Sequence, residues 1–210
     1  MRSDARTTWT RSLLDGLCSL ESRSQRRDLA EIHGVNLCSN DYLGLAQNPA
    51  LHEAVAQAVQ NAERVAGTGS RLLSGHTQAW ESLEDEFASF IGTESALYFT
   101  TGYAANLGLL SSLIGKEDVV FSDELNHASL IDGMRLSGAR KIIYPHLNLQ
   151  ALESALEQEA GAPWRKVIIT ESVFSMDGDV APLREIAELA GKYGAGLIID
   201  EAHATGVHGP

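Results

Sequence analysis

Cysteine is scarce: Cys18 and Cys38 are the two in 210 residues. They give no disulfide framework, no CxxC pair and no zinc-ligand spacing, so a reducing compartment is the expectation. Basic charge is short as well. Lys and Arg number 16 against 28 Asp and Glu, a formal net charge of -12. That balance argues against bulk electrostatic binding of nucleic acid or an anionic membrane, though not against one local basic pocket. No apolar run is long enough to span a bilayer. Arg2, Arg6 and Arg11 stand among Ser and Thr in the manner of a transit peptide. Asp4 and Asp15 interrupt that pattern and no signal-type apolar core follows, so a cytoplasmic location is expected. Repeats and low-complexity segments are also missing. What is plentiful is ordinary core material: 44% of residues are hydrophobic, enough for a sizeable globular core.

The most informative stretch lies near the C-terminus. Leu197-Ile198-Ile199 follows Gly194 and Gly196 and reads as a buried strand of a parallel sheet. Asp200 arrives as the apolar run stops, at the carboxyl end of the strand, where open α/β sheets bind ligands. His203 follows on the loop. The pair suits a site for a protonated heterocycle; a capping Asp with a solvated His is the equally weighted alternative. Asp200-Glu201-Ala202-His203 also spells the magnesium-site box of helicases. That chemistry requires a phosphate loop ending in Gly-Lys-Ser/Thr. The two Gly-Lys pairs, Gly115-Lys116 and Gly191-Lys192, are followed by Glu117 and Tyr193, which excludes it.

Taken in order, the chain opens with an arm in which Leu13, Leu14, Leu17 and Leu20 have helical spacing. Arg23 to Arg27 reads as a solvated basic helix end. Val35 to Cys38 is expected to be a short strand. Asn48-Pro49 starts a helix with Leu51, Ala54, Val55, Ala58 and Val59 on its apolar face. Gly67 to His76 is a glycine-punctuated loop. Leu72 stands where a dinucleotide fingerprint needs its third glycine, so positive φ and close backbone approach are the remaining reasons for these glycines. Thr77 caps a helix with Trp80, Leu83, Phe87 and Phe90 inward, and Gly92 closes it.

From there strands and helices alternate. Ala96–Phe99, Val119–Phe121, Lys141–Tyr144, Lys166–Thr170 and the run at Leu197 are five strand candidates with helices between them. The pattern predicts a doubly wound, mostly parallel α/β sheet with helices on both faces. Each loop alone has a bland reading: a plain turn at Thr101-Gly102-Tyr103, a polar cap at Asn126-His127. Their convergence with Ser172–Asp179 and Asp200–His203 on one sheet edge outweighs those readings, because all would have to coincide.

As a set, Asn40-Asp41-Tyr42-Leu43-Gly44-Leu45, Thr101-Gly102-Tyr103-Ala104-Ala105-Asn106, Asn126-His127-Ala128-Ser129, Val173-Phe174-Ser175-Met176-Asp177-Gly178-Asp179 and Asp200-Glu201-Ala202-His203-Ala204-Thr205-Gly206 resemble the α-oxoamine synthases. The match runs in order from about Leu37 to Gly209. It implies an aminotransferase-like, fold type I enzyme that uses pyridoxal 5'-phosphate. Such enzymes join an amino acid to an acyl thioester with loss of carbon dioxide. On this reading residues 1–45 are an N-terminal arm and residues 46–210 an incomplete cofactor-binding large domain.

The resemblance implies roles. His127 would stack on the pyridine ring and face the substrate as a catalytic group. Gly102 and Tyr103 would offer backbone N–H groups to the phosphate. Asp200 would pair with the pyridinium nitrogen. Ser175 and His203 would hydrogen-bond the cofactor. Asn40 would lie on the substrate side, and Arg23 stands in for the family's substrate arginine, which has no clean counterpart. The family's cofactor-holding lysine is expected after the Asp200–Gly206 string. The last lysine here is Lys192, and Lys116, Lys141, Lys166 and Lys192 match no part of that motif. The expectation is an N-terminal part of such an enzyme, inactive alone, and a homodimer in its full-length form. The acyl donor and the amino acid stay open at this level. So does a second reading, a non-catalytic binding subunit that pairs with a catalytic chain.

Overall fold

The computed structural model describes residues 2–31 and 33–208. They divide into two compact units, Met1–Asn40 and Asp41–Pro210. In the first, helix α1 spans Arg2–Ser22, longer than the leucine spacing required. Leu13, Leu14 and Leu17 are exposed. Arg23 Nε donates to the Ser19 carbonyl at 3.2 Å, and Arg26 pairs with Glu21 and Asp28, so the basic run is a helix end in solvent. Val35–Cys38 is not a strand. The Cys38 N–H is taken by the Asn36 side chain at 2.9 Å, a local bond that competes with strand pairing.

In the second unit α2 (Pro49–Asn61) begins as its sequence dictates: Asn48 Oδ1 accepts the Ala50 N–H at 2.9 Å, with Pro49 in the first turn. Helix α3 (Gln78–Ile91) stops on Gly92 at φ 79°, a left-handed value open to glycine. Between them Arg71–Gly75 makes one wide turn, with the N–H groups of Leu73, Ser74 and Gly75 converging on the Ser70 carbonyl. The expected positive φ is absent at Gly67, Gly69 and Gly75. Glycine supplies closeness instead: a Cβ on Gly75 would stand 2.2 Å from the Gly69 carbonyl oxygen. The side chains expected to point inward on α2 and α3 are largely exposed, among them Leu51, Val55, Phe87 and Phe90. Helical spacing gives these residues one face, but no described segment covers it.

Four parallel strands form the sheet in the order β2-β1-β3-β4: β1 (Val119–Asp123), β2 (Arg140–Tyr144), β3 (Lys166–Glu171) and β4 (Ala195–Asp200). Helices α4 (Gly102–Leu113), α5 (Ala128–Ser137), α6 (Leu149–Gln158) and α7 (Leu183–Tyr193) accompany them. Strand alternation sends Val119, Phe121 and Ile168 to one face, against Leu152 and Leu156 of α6 and Ile186 and Ala190 of α7. It sends Val120 and Ile169 to the other, against Leu110 of α4 and Leu130 and Met134 of α5. Each such fully buried side chain contributes about 1.5–3 kcal/mol.

The expected α/β architecture therefore stands, with four strands in place of five. Ala96–Phe99 pairs with no strand among the described residues. The Tyr98 N–H goes to Glu84 Oε1 at 2.7 Å, and Leu97 is exposed. An apolar run is not a strand until a neighbour takes its backbone groups. The strand order also reverses between β1 and β3: the chain leaves β1 for β2 on one side and returns to place β3 on the other. Beyond the carboxyl ends of those two strands lies a topological switch point, the favoured ligand crevice of such sheets.

Candidate functional site

At the switch point the side chains are tied together by hydrogen bonds. Asp200, the last residue of β4, accepts from Asn106 Nδ2 at 2.7 Å and from the Ala202 N–H at 2.9 Å. Asn106, on α4, also donates to Ser129 Oγ at 2.9 Å. Ser129 Oγ is 2.8 Å from His127 Nδ1, which also accepts the Ser129 N–H at 3.2 Å as the N-cap of α5. A backbone N–H on Nδ1 leaves the neutral imidazole's proton on Nε2. The Tyr103 ring stands edge-on to His127, with centroids 6.2 Å apart. Its hydroxyl donates to Asp132, which pushes the phenol up and holds the carboxylate down.

Glu171, the last residue of β3, accepts the His127 N–H at 2.5 Å. It also takes the Ser175 N–H. Burial pushes this carboxyl up to about 7; the His127 N–H opposes that rise, and the charges of Asp200 and Asp123 add to it. Asn126 Nδ2 joins Ser122 Oγ of β1 to the Ile169 carbonyl of β3 at 2.8 and 2.9 Å. His146 spans Asp123 at 2.9 Å and Asp179 at 3.2 Å. Burial works against its charge, but the two carboxylates prevail and raise its pKa.

His203 and Ser175 share a recess of about 240 Å³ with Tyr42, Phe174, Val207 and His208. Tyr42 Oη and His203 Nδ1 are 2.5 Å apart. A larger recess, about 650 Å³, lies at the amino ends of β1 and β3, between Gly115–Asp118 and Pro163–Arg165. Its polar edge is closed by the Arg165–Asp118 pair at 2.7 Å, so the strand ends, and not size, locate the site.

Helix α4 opens at Gly102, with Thr101 Oγ1 accepting the Ala104 N–H at 3.0 Å. The N–H groups of Gly102 and Tyr103 belong to the first turn, which has no intrahelical acceptors and carries the positive dipole end. A Cβ on Gly102 would meet nothing within 4 Å. An anion can therefore approach that backbone directly. Among the described residues no group of three or more His, Cys, Asp or Glu is spaced to hold a metal. Among the same residues no helix is long and apolar enough to cross a membrane.

Gly102, Tyr103, His127, Ser175, Asp200 and His203 thus all lie at a strand end, in loops or at helix starts of the second unit, in the arrangement just given. Arg23 and Asn40 belong to the first unit. The residues that sequence reasoning did not assign are the connectors: Asn106, Ser129, Glu171, His146 and Tyr42. Each except His146 stands inside or beside a quoted motif. Its position was visible, and its bonding partner was not.

The family model described as aminotransferase class I and II matches residues 32–210. A curated 8-amino-7-oxononanoate synthase of Citrifermentans bemidjiense is 53% identical over 83% of this chain and 44% of its own length. Serine palmitoyltransferase of Sphingomonas wittichii superposes with a TM-score of 0.73 at 38% identity, covering 78% of this chain and 40% of that one. A serine palmitoyltransferase from S. paucimobilis, with a bound adduct of pyridoxal phosphate and myriocin, gives a TM-score of 0.78 at 29% identity, over 90% of this chain and 53% of that one. The chain spans about half the length of the curated relatives it matches. The parallel sheet with its two helical layers and the family match over most of its residues agree, and the chain belongs to the class I and II aminotransferase family.

Proposed function

We propose that the protein carrying these residues is an 8-amino-7-oxononanoate synthase. It would use pyridoxal 5'-phosphate to condense L-alanine with a pimeloyl thioester and release carbon dioxide, a step of biotin synthesis. The observation that carries the reading is the hydrogen-bonded line from Asp200 through Asn106 and Ser129 to His127, beside the open helix start at Gly102.

The residues fit the cofactor. The Gly102 and Tyr103 backbone suits a phosphate dianion, because dipole and free N–H groups act together. Asp200, its Oδ2 held by Asn106, offers a fixed carboxylate for a pyridinium N–H. When bound, the cofactor supplies an electron sink for the pair released at the amino acid's α-carbon. His127 keeps Nδ1 as an acceptor and so presents an Nε2 proton, which orients it as a donor toward substrate. His203, braced by Tyr42, and Ser175 in the same recess provide polar contacts for the cofactor's other edge. Asn40 and Arg23 are assigned to the substrate side. Residues 1–45 act as the arm and residues 46–210 as the cofactor-binding domain. A cytoplasmic homodimer completes the reading.

The curated relatives support this member of the family: oxononanoate synthases match at 46 to 53% identity over most of the chain. Serine palmitoyltransferase and glycine C-acetyltransferase are the near alternatives. The test is to supply the full-length protein with L-alanine and pimeloyl thioester, glycine and acetyl thioester, or L-serine and palmitoyl thioester, and to identify the product by mass spectrometry. The alanine pair is expected to give 8-amino-7-oxononanoate. Turnover with one of the other pairs alone would overturn the choice. No turnover with any pair, together with co-purification of a lysine-bearing homologue, would favour a non-catalytic partner subunit. The 210 residues by themselves contain no lysine after Lys192 and are expected to be inactive.

A further inference from the structure

The geometry points to Asn106 and Ser129 as positioning residues that set, through one continuous hydrogen-bond line, both the orientation of the Asp200 carboxylate and the tautomer of His127. This rests on the proposed roles of Asp200 and His127, but the line itself follows from donor and acceptor chemistry.

Asp200 Oδ2 can only accept, so the Asn106 amide must turn its NH2 toward it, at 2.7 Å. The second hydrogen of that NH2 reaches Ser129 Oγ at 2.9 Å. The Ser129 oxygen keeps a second lone pair, so it is the backbone donor on His127 Nδ1 that makes that nitrogen an acceptor and turns the Ser129 hydroxyl proton toward it, at 2.8 Å. The Ser129 N–H reaches the same nitrogen at 3.2 Å. Both donors arrive at Nδ1, and every bond in the line has one permitted direction. Asp200 lies 94 positions from Asn106 in sequence, so the line couples the end of β4 to the start of α5 through α4.

The backbone is shaped for this contact. Gly133 of α5 faces α4 so closely that a Cβ there would stand 3.0 Å from the Asn106 carbonyl oxygen and 2.9 Å from Leu110 Cδ1. Ser129 is buried, which shields the middle of the line from competing water. Removing Asn106 leaves Asp200 with one donor and leaves the Ser129 oxygen without the Asn106 bond.

The test compares Asn106→Asp, Asn106→Leu and Ser129→Ala with the parent in the full-length protein. Nitrogen-15 NMR of the His127 ring in the cofactor-free form reads the tautomer, and a titration with pyridoxal phosphate reads affinity. The parent is expected to show Nδ1 as an unprotonated acceptor and Nε2 protonated. In Asn106→Asp the two facing carboxylates share one proton, and the new carboxyl group's other lone pairs accept the Ser129 proton and draw it from His127, so the Nδ1 and Nε2 shifts move toward tautomer averaging. Ser129→Ala keeps the backbone donor and shifts them less. Asn106→Leu is expected to weaken cofactor binding by about tenfold, the usual effect of losing one hydrogen bond to a charged group. Thermal melting separates these effects from loss of fold. Unchanged ring shifts in well-folded Asn106→Asp and Ser129→Ala would overturn the inference, whatever product the enzyme makes. Failure of the alanine assay with shifted rings would sink only the proposed function.

Discussion

At the scale of single residues, Glu171 is the group whose charge state the site controls most strongly. It is buried, it accepts two backbone N–H groups, and its pKa of about 7 lies above the ordinary 4.5. Between those values the folded protein binds a proton that the unfolded chain has released. Stability therefore falls as pH rises through that window. The full shift corresponds to an order of 3 kcal/mol. Glu171→Gln cannot ionise, so its urea-unfolding free energy is expected to stay nearly flat between about pH 5 and pH 8, where the parent declines. Parallel profiles for the two proteins would assign the decline to another group. His146 adds a pH dependence of the same sign. Its raised pKa supplies stability present below about 6.5 and lost as pH climbs through the folded value, so a residual slope in Glu171→Gln belongs to it.

At the scale of elements, the contact that matters most is α4 against α5. Gly133 permits it, since a Cβ would come within 2.9 to 3.0 Å of Leu110 and the Asn106 backbone. Alanine is the better helix former by up to about 1 kcal/mol. Forcing a methyl into a filled interface typically costs about 1–3 kcal/mol. Overpacking wins, and Gly133→Ala is expected to lower the urea midpoint; a stabilised variant would mean the two helices part freely. The elements also show what was legible in advance. Asn48 caps its helix as expected and Gly92 ends another, because these signals act within four residues; Thr77 stands at the expected N-cap position, but its side chain accepts no N–H of the helix. Strands β1 to β4 were legible because each is an apolar run between turn signals. Ala96–Phe99 looked the same and is not a strand, because pairing depends on a neighbour that its own residues do not encode. The site divides likewise. Its polar residues were visible as motifs. Their partners were not, since the bonds join residues 44, 94 and 161 positions apart.

At the scale of the whole molecule, the second unit exposes apolar surface that a monomer in water seldom carries. Leu51, Val55 and Val59 line one face of α2, and Leu83, Phe87 and Phe90 lie along α3, with the two phenylalanine rings 6.2 Å apart. Contiguous patches of this kind mark contact surfaces. The 210-residue chain in isolation is expected to self-associate, with a sedimentation coefficient that rises with concentration. Phe87→Glu with Phe90→Glu should suppress that rise; an unchanged profile would show that the α3 face is not what associates.

The strand order has a consequence in time as well as in space. A ribosome releases β1, α5 and β2 before β3, so β1 and β2 can pair while the other edge of β1 is still bare. That edge carries Val119, Val120 and Phe121, and it remains open for translation of the roughly forty residues until β3 emerges, several seconds at ordinary synthesis rates. Only then does Glu171 meet His127. The nascent chain thus passes through an interval in which the strand most deeply buried in the finished sheet is a template for foreign pairing, and the arrival of β3, which brings Glu171 to His127, ends the hazard while the bond between Asp200 and Asn106 is still to come.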